Sequence, residues 1–144
     1  MVVKYNQKEL ELLARLMRAE ALGEGNLGML MVGNVGINRV IANCLTFKDI
    51  TTIYDMIFQS PGGFSGTKSN LFYGNPTEKE KSLAMRVIRG EYYYPATNAL
   101  WFYAQVVEVL VLVLGGIKNL LVDIKIIVFI NLIDRKSVGR ERVC

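Results

Sequence analysis

Hydropathy divides this chain of 144 residues into two unlike parts near Gln105. Residues 1–105 mix apolar positions with polar residues and glycines, as the sequence of a globular domain does. In residues 106–133, by contrast, 20 of 28 positions are Val, Leu, Ile or Phe. The sequence therefore predicts one folded domain over 1–105, followed by an apolar and then basic tail over 106–144.

Two apolar stretches early in the chain have helical character. Asn6 followed by Glu9 forms a capping-box pattern, and Gly23 is a typical stop, so we predict a first helix over 7–22. The next stretch, 27–41, is apolar but interrupted by glycines, which lower helix propensity and let a helix pack closely against a neighbour. We expect this second helix to be central and buried. Its predicted buried positions are Met31, Val32, Val35 and Val40.

The rest of the domain also reads as mainly helical. We predict a short third helix over 49–58 with Asp49 as its cap, then a long loop or short irregular strands over 59–75. A second capping box at 77–80 starts another helix, which Gly90 ends. The predicted fold class is therefore mainly α (α+β), with a helical core, a long loop and short strands.

The tail allows several interpretations. Its longest uncharged run, 109–117, is far shorter than the roughly 20 residues of a membrane-spanning helix. Its β-branched content favours strands over a membrane segment. Residues 134–144 resemble the translation of a sequencing adaptor, which suggests that 106–144 is irregular or non-native, the product of a frameshift or assembly artefact. Resequencing the source DNA across codons 100–144 tests this.

Composition excludes several kinds of site. The chain has no histidine, so it holds neither a Ser-His-Asp or Cys-His triad nor a His-ligated zinc. Two cysteines cannot build a Cys-rich metal site, and we predict no metal and no cofactor. The net charge of +4 is not clustered, which argues against nucleic acid as a partner. Cys44, on an apolar stretch, is expected to be buried rather than nucleophilic.

Acid–base chemistry then falls mainly to carboxylates, and Glu20 and Glu24 are the outstanding pair. If the first helix ends at Gly23, Glu20 lies in its last turn, where the helix dipole and partial burial both raise the pKa of a carboxyl group. A carboxyl group that stays protonated near neutral pH is what a glycosidase uses as its general acid. The physical argument alone leaves a solvated helix end as the more frequent alternative.

Longer motifs extend this interpretation. They are Ala19-Glu20-Ala21-Leu22-Gly23-Glu24-Gly25, Val32-Gly33-Asn34-Val35-Gly36-Ile37-Asn38-Arg39 and Leu100-Trp101-Phe102-Tyr103. With these, residues 10–105 resemble the cell wall hydrolases of the SleB/CwlJ kind, the spore cortex-lytic enzymes, and most closely the CwlJ branch. The family continues after the third motif with a segment rich in Trp, Cys and His, which this chain lacks.

The resemblance implies a lysozyme-like or lytic-transglycosylase-like helical fold and a lytic function in germination. It implies cleavage of the peptidoglycan strand between N-acetylmuramic acid and N-acetylglucosamine, with Glu20 as the essential acid and Glu24 in support. It also implies the spore cortex glycan as partner, suggests a spore-coat protein as another, and implies a place in the spore coat or cortex. The N-terminus, which shows no cleaved signal peptide, fits that location.

Substrate contacts are predicted at two aromatic or glycine-rich places. Phe64 and Ser65 lie in a Gly-rich turn, and Trp101 and Tyr103 could stack on sugar faces, although core or rim positions are the common alternative. A second hypothesis, from another class, is a non-catalytic wall-binding or membrane-associated protein anchored by residues 106–133.

Overall fold

The computed structural model describes residues 3–42, 44–60, 63–112 and 119–130. Its helices are α1 (Gln7–Ala21), α2 (Gly25–Ile41), α3 (Ile53–Ile57) and α4 (Glu78–Ile88), and its strands are β1 (Trp101–Leu112) and β2 (Asn119–Ile130). The predicted mainly helical core is confirmed.

Helix α1 begins at the predicted capping box. The Asn6 side chain accepts a hydrogen bond from the Glu9 N–H at 2.9 Å, and the Glu9 carboxylate accepts one from the Asn6 N–H at 3.1 Å. The helix ends at Ala21 and continues as a 3₁₀ turn over Leu22–Glu24. The predicted end of the α-helix just before Gly23 is confirmed to within one residue, but the positive φ of 72° is at Gly25 and not at Gly23.

Helix α2 is the central element, since it packs against α1, α3 and α4. A Cβ atom at Gly33 would lie 2.8 Å from Val87 Cγ2, and one at Gly36 would lie 2.9 Å from Met56 Cε. These glycines therefore permit the close packing that the sequence predicted. Val32 and Val35 are fully buried, whereas Met31 and Val40 are only partly buried.

Helix α3 is shorter than predicted. It begins at Ile53 because Thr52 and Asp55 form its capping box, in which the Thr52 hydroxyl accepts from the Asp55 N–H at 3.1 Å. Asp49 is therefore not the cap. The described part of 59–75 contains 3₁₀ turns over Ser65–Lys68 and Asn70–Phe72 and no strand.

Helix α4 follows its predicted capping box, Thr77 with Glu80, and Gly90 takes a φ of 98° just after it. The apolar stripe of this helix is buried throughout. The stripe consists of Leu83, Ala84, Val87 and Ile88.

Two buried asparagines of α2 fix the segment that leads into β1. Asn34 donates to the Glu91 carbonyl at 2.7 Å and accepts from the Tyr93 N–H at 2.9 Å. Asn38 donates to the Ala99 carbonyl at 2.9 Å. Because these side chains satisfy backbone groups that the core would otherwise leave unpaired, the chain reaches β1 in one defined path.

The strands form an antiparallel hairpin whose register runs from Trp101 opposite Ile130 to Leu112 opposite Asn119. The described part of the tail thus forms the strands that its β-branched content indicates. Residues 113–118 and 131–144 lie outside the described part. No helix among the described residues is long and apolar enough to cross a membrane.

Candidate active site

Glu20 lies in the last turn of α1, and its side chain is partly buried against the 3₁₀ turn Ser65–Lys68. Its Oε1 accepts a hydrogen bond from the Gly66 N–H at 2.6 Å. A Cβ atom at position 66 would lie only 2.6 Å from the same oxygen. A glycine is therefore required there for the backbone to approach the carboxyl group this closely.

Burial raises the pKa of Glu20 above the ordinary value, while the Gly66 N–H and the charge of Arg39 lower it without cancelling the effect of burial. This direction agrees with the effect that the sequence analysis expected from partial burial. Glu20 therefore keeps its proton to a higher pH than an exposed glutamate does, which suits it to donate a proton.

Arg39 of α2 is a buried cation beside this carboxyl group, with only 5% of its surface exposed. Its Nε donates to the Leu100 carbonyl at 2.8 Å, and its guanidinium lies 4.3 Å from the ring centroid of Phe64 and 5.1 Å from that of Phe47. Burial lowers the pKa of Arg39 to about 10, and the charge of Glu20 opposes that shift. The guanidinium is therefore still charged at neutral pH.

No sequence pattern gave Arg39 or Gly66 a functional role. A signal for Arg39 was present, because a charged residue in a helix predicted to be buried needs partners within the core. Gly66 carried no such signal, since a glycine in a loop is common and its partner lies 46 residues away in the chain.

Glu24 occupies the last position of the 3₁₀ turn after α1 and is partly buried. Because α1 ends at Ala21, Glu24 does not continue the face of that helix that carries Glu20. A Cβ atom at Gly28 would overlap Glu24 Cβ, so the first turn of α2 packs directly on this residue.

Phe64 and Ser65 line a cavity of about 400 Å³ next to Gly66. Phe64 is buried and covers the guanidinium of Arg39, whereas Ser65 is exposed. The remaining lining is mixed polar and apolar. It includes Ile57, Phe58, Gln59, Ser60, Gly63, Thr67 and Lys68.

Trp101 and Tyr103 lie at the start of β1. The Trp101 ring packs 5.4 Å from the ring of Phe47 and is partly exposed. Tyr103 pairs with Val128 of β2 through its backbone. Cys44 is buried, with 1% of its surface exposed, as the sequence predicted. Within the described ranges, no three acidic, Cys or His side chains converge as a metal site.

Comparison with known proteins identifies the family. A profile described as Cell Wall Hydrolase matches residues 23–115. The cell wall hydrolase CwlJ of Oceanobacillus iheyensis is 62% identical over 102 residues, covering 71% of this chain and 72% of that protein. The CwlJ of Bacillus subtilis is 48% identical and covers 71% of each chain. A spore cortex-lytic enzyme of Bacillus cereus is 30% identical over 99 residues, which are 69% of this chain and 36% of that enzyme.

No solved structure matches the chain. The profile match covers more than half of the sequence, and the two CwlJ matches each span more than two thirds of the relative's length. The chain therefore belongs to the cell wall hydrolase family, on the branch of the CwlJ proteins.

Proposed function

We propose that this chain cleaves the glycan strand of spore cortex peptidoglycan during germination, between N-acetylmuramic acid and N-acetylglucosamine, with Glu20 as general acid. The observation that carries the proposal is the partly buried carboxyl group of Glu20, whose Oε1 is fixed by the Gly66 N–H at 2.6 Å. Burial raises the pKa of this carboxyl group, which favours the protonated form that the reaction needs.

In the proposed reaction, Glu20 transfers its proton to the glycosidic oxygen. The bond between that oxygen and the anomeric carbon breaks, and its electron pair stays on the departing sugar. The anomeric carbon is then captured by water or by the 6-hydroxyl of the same muramyl residue, and the capturing oxygen returns a proton to the Glu20 carboxylate. Water gives a reducing end, whereas the internal hydroxyl gives an anhydro sugar.

The two outcomes place different demands on a second carboxyl group. Hydrolysis uses a partner carboxylate, which Glu24 would supply in a supporting role. Capture by the internal hydroxyl needs no such partner, so Glu20 alone suffices. With water as nucleophile the chain acts as a glycosidase, and with the internal 6-hydroxyl it acts as a lytic transglycosylase.

The cavity beside Gly66 is the proposed place for a sugar unit. Its mixture of hydroxyl groups with the side chain of Phe58 suits a ring that has both polar edges and an apolar face. Ser65, Trp101 and Tyr103 remain proposed sugar contacts. Phe64 is proposed to act as a wall of the cavity, because its ring is buried against Arg39.

The proposed partner is cortex peptidoglycan, and the proposed location is the spore coat or cortex. Relatives at 62% and 48% identity carry the name cell wall hydrolase CwlJ, and one at 30% is named spore cortex-lytic enzyme. A spore-coat protein is proposed as a second partner. Neither a metal nor a cofactor enters the proposed reaction.

The test compares the purified chain with Glu20→Gln on spore cortex sacculi, with the released muropeptides identified by mass spectrometry. We expect Glu20→Gln to lower release by roughly 100-fold to 10,000-fold, because the amide cannot donate a carboxyl proton. Glu78→Gln is the matched control, since that carboxylate is exposed on α4. Equal release by the parent and Glu20→Gln would refute the role of Glu20. Binding to sacculi without products from either protein would instead favour the non-catalytic hypothesis.

A further inference from the structure

Arg39 has an unusual position for a charged side chain, because the core encloses it almost completely. Burying a cation is unfavourable unless partners compensate for the lost hydration. Here the compensation includes the Leu100 carbonyl and the faces of two phenylalanine rings. A well-packed apolar residue would fill the same space without that loss of hydration, so the charge itself calls for an explanation.

The contacts of Arg39 lead to Glu20 by a short path. The guanidinium lies 4.3 Å from the ring centroid of Phe64, and Phe64 is two residues before Gly66, whose N–H holds Glu20 Oε1. Its Nε also binds the carbonyl of Leu100, the residue before β1. Arg39 therefore joins α2, the 64–66 turn and the start of the hairpin at one point.

Charge gives a second connection to the same carboxyl group. Among the described residues, Arg39 on α2 is the charged group that acts on the pKa of Glu20, and the Gly66 N–H acts from the facing turn. Arg18 on α1 pairs with Glu80 of α4 at 3.1 Å. Glu24 lies four residues beyond Glu20, in the turn after α1.

We propose that Arg39 is the positioning residue of this site: its guanidinium holds the 64–66 turn against Glu20 and stabilises the carboxylate that remains after proton transfer. The proposal rests on the proposed function, in which Glu20 cycles between acid and carboxylate. The protonated acid gains nothing from a nearby cation, whereas the carboxylate does, so the charge favours the state that forms as the bond breaks.

The first test measures the ionisation of Glu20 directly, without any substrate. The full chain is labelled with ¹³C at the glutamate carboxyl groups, the Glu20 signal is assigned with Glu20→Gln, and the signal is followed against pH. We expect the Glu20 carboxyl group to titrate at higher pH in Arg39→Met than in the parent. In Arg39→Lys it should titrate close to the parent. The same titration pH in the parent and Arg39→Met would overturn the proposal.

Arg15→Met is the matched control. Arg15 also donates through Nε to a backbone carbonyl, that of Phe72 at 2.6 Å, and its guanidinium lies 4.8 Å from that ring. Arg15 does not act on the pKa of Glu20. We therefore expect Arg15→Met to lower the stability of the protein and to leave the pH at which Glu20 titrates unchanged. An equal displacement in Arg15→Met would assign the effect to general loosening and overturn the proposal.

The second test uses the reaction on cortex sacculi. We expect Arg39→Met to lower kcat by roughly 10-fold to 100-fold with a smaller change in KM, and to move the alkaline limb of the pH profile upward. In Arg39→Lys the alkaline limb of the pH profile should lie close to that of the parent. A merely structural role for Arg39 would lower the denaturation midpoint and leave the limb unmoved.

Three further cases keep the proposal separate from folding and from the proposed function. If Arg39→Met does not fold, Phe64→Leu retains the charge and removes the ring, and an unchanged kcat in that variant would overturn the positioning role. If the parent cleaves nothing but its Glu20 titration depends on Arg39, the proposed function fails while the coupling stands. If the parent cleaves normally and the titration is independent of Arg39, this inference alone fails.

Discussion

At the scale of single residues, the burial that suits Glu20 to its proposed role as general acid also lowers the stability of the folded protein when the carboxyl group ionises. Burial raises its pKa, so the folded protein holds this proton more tightly than the unfolded chain does. The stabilising contribution of a raised carboxyl pKa is fully present below the unfolded value, near 4.5, and is lost as pH rises through the folded value. At neutral pH the ionised form is therefore less stable in its site than in water.

We predict that Glu20→Gln is more resistant to urea than the parent at about pH 7 and equally resistant at about pH 4. The amide stays neutral at both pH values, whereas the Glu20 carboxyl group loses protons as the pH rises from the lower value to the higher one. Denaturation curves followed by circular dichroism at the two pH values check this. Glu78→Gln should show no such gain at neutral pH, because Glu78 is exposed and pairs with Lys81. Equal midpoints for the parent and Glu20→Gln at both pH values would contradict the prediction.

At the scale of elements, α2 is the centre of the packing and also carries the buried Arg39. Its glycines admit side chains from α1, α3 and α4, and its polar residues bind the segment from Glu91 to Leu100. The helix can be central because its glycines let neighbouring helices approach closely. A Cβ atom built at Gly33 would lie only 2.8 Å from Val87 Cγ2 of α4.

We predict that Gly33→Ala destabilises the protein by about 1–3 kcal/mol, because the new methyl group overlaps Val87 Cγ2 and Met17 Sδ. Gly23→Ala is the control, since no atom beyond its neighbours in the chain lies within 4 Å of a Cβ atom built there. We expect that control to change stability by less than about 1 kcal/mol. Urea midpoints measured by circular dichroism provide the comparison, and equal effects of the two substitutions would be inconsistent with tight packing at Gly33.

At the scale of the whole molecule, the hairpin joins the helical domain at a small second apolar cluster. This cluster contains Ala42, Cys44, Phe47 and Leu100, with Trp101 packed against it. The origin of residues 106–144 stays a prediction, to be tested by resequencing. Strand β1 starts before the tail, at Trp101, whose ring contacts Phe47 of the helical domain.

We predict that the helical domain and the start of the hairpin unfold together. Trp101 is the single tryptophan, and its ring lies 5.4 Å from that of Phe47, so its fluorescence reports this junction. Denaturation followed by tryptophan fluorescence and by circular dichroism should give coincident midpoints. Phe47→Leu should lower both midpoints together, whereas a fluorescence transition that precedes the loss of helix would show that the junction opens separately.

The features that the sequence predicted well are those that neighbouring residues make among themselves. The capping boxes at Asn6 and Thr77 each involve residues three positions apart, so they form wherever the chain turns into a helix. The same rule also explains the error at Asp49. Two residues there could cap a helix, and Thr52 prevailed because Asp55 completes a capping box with it.

Sequence by itself thus determined the helical class, the main helix starts, the family motifs and the choice of Glu20. The tertiary structure alone decided what surrounds that carboxyl group, because Gly66 is 46 residues away and Arg39 belongs to another helix. Helix caps depend on hydrogen bonds that close within one turn of the chain. Burial and the approach of a distant charge depend on how the helices pack, which no local pattern records.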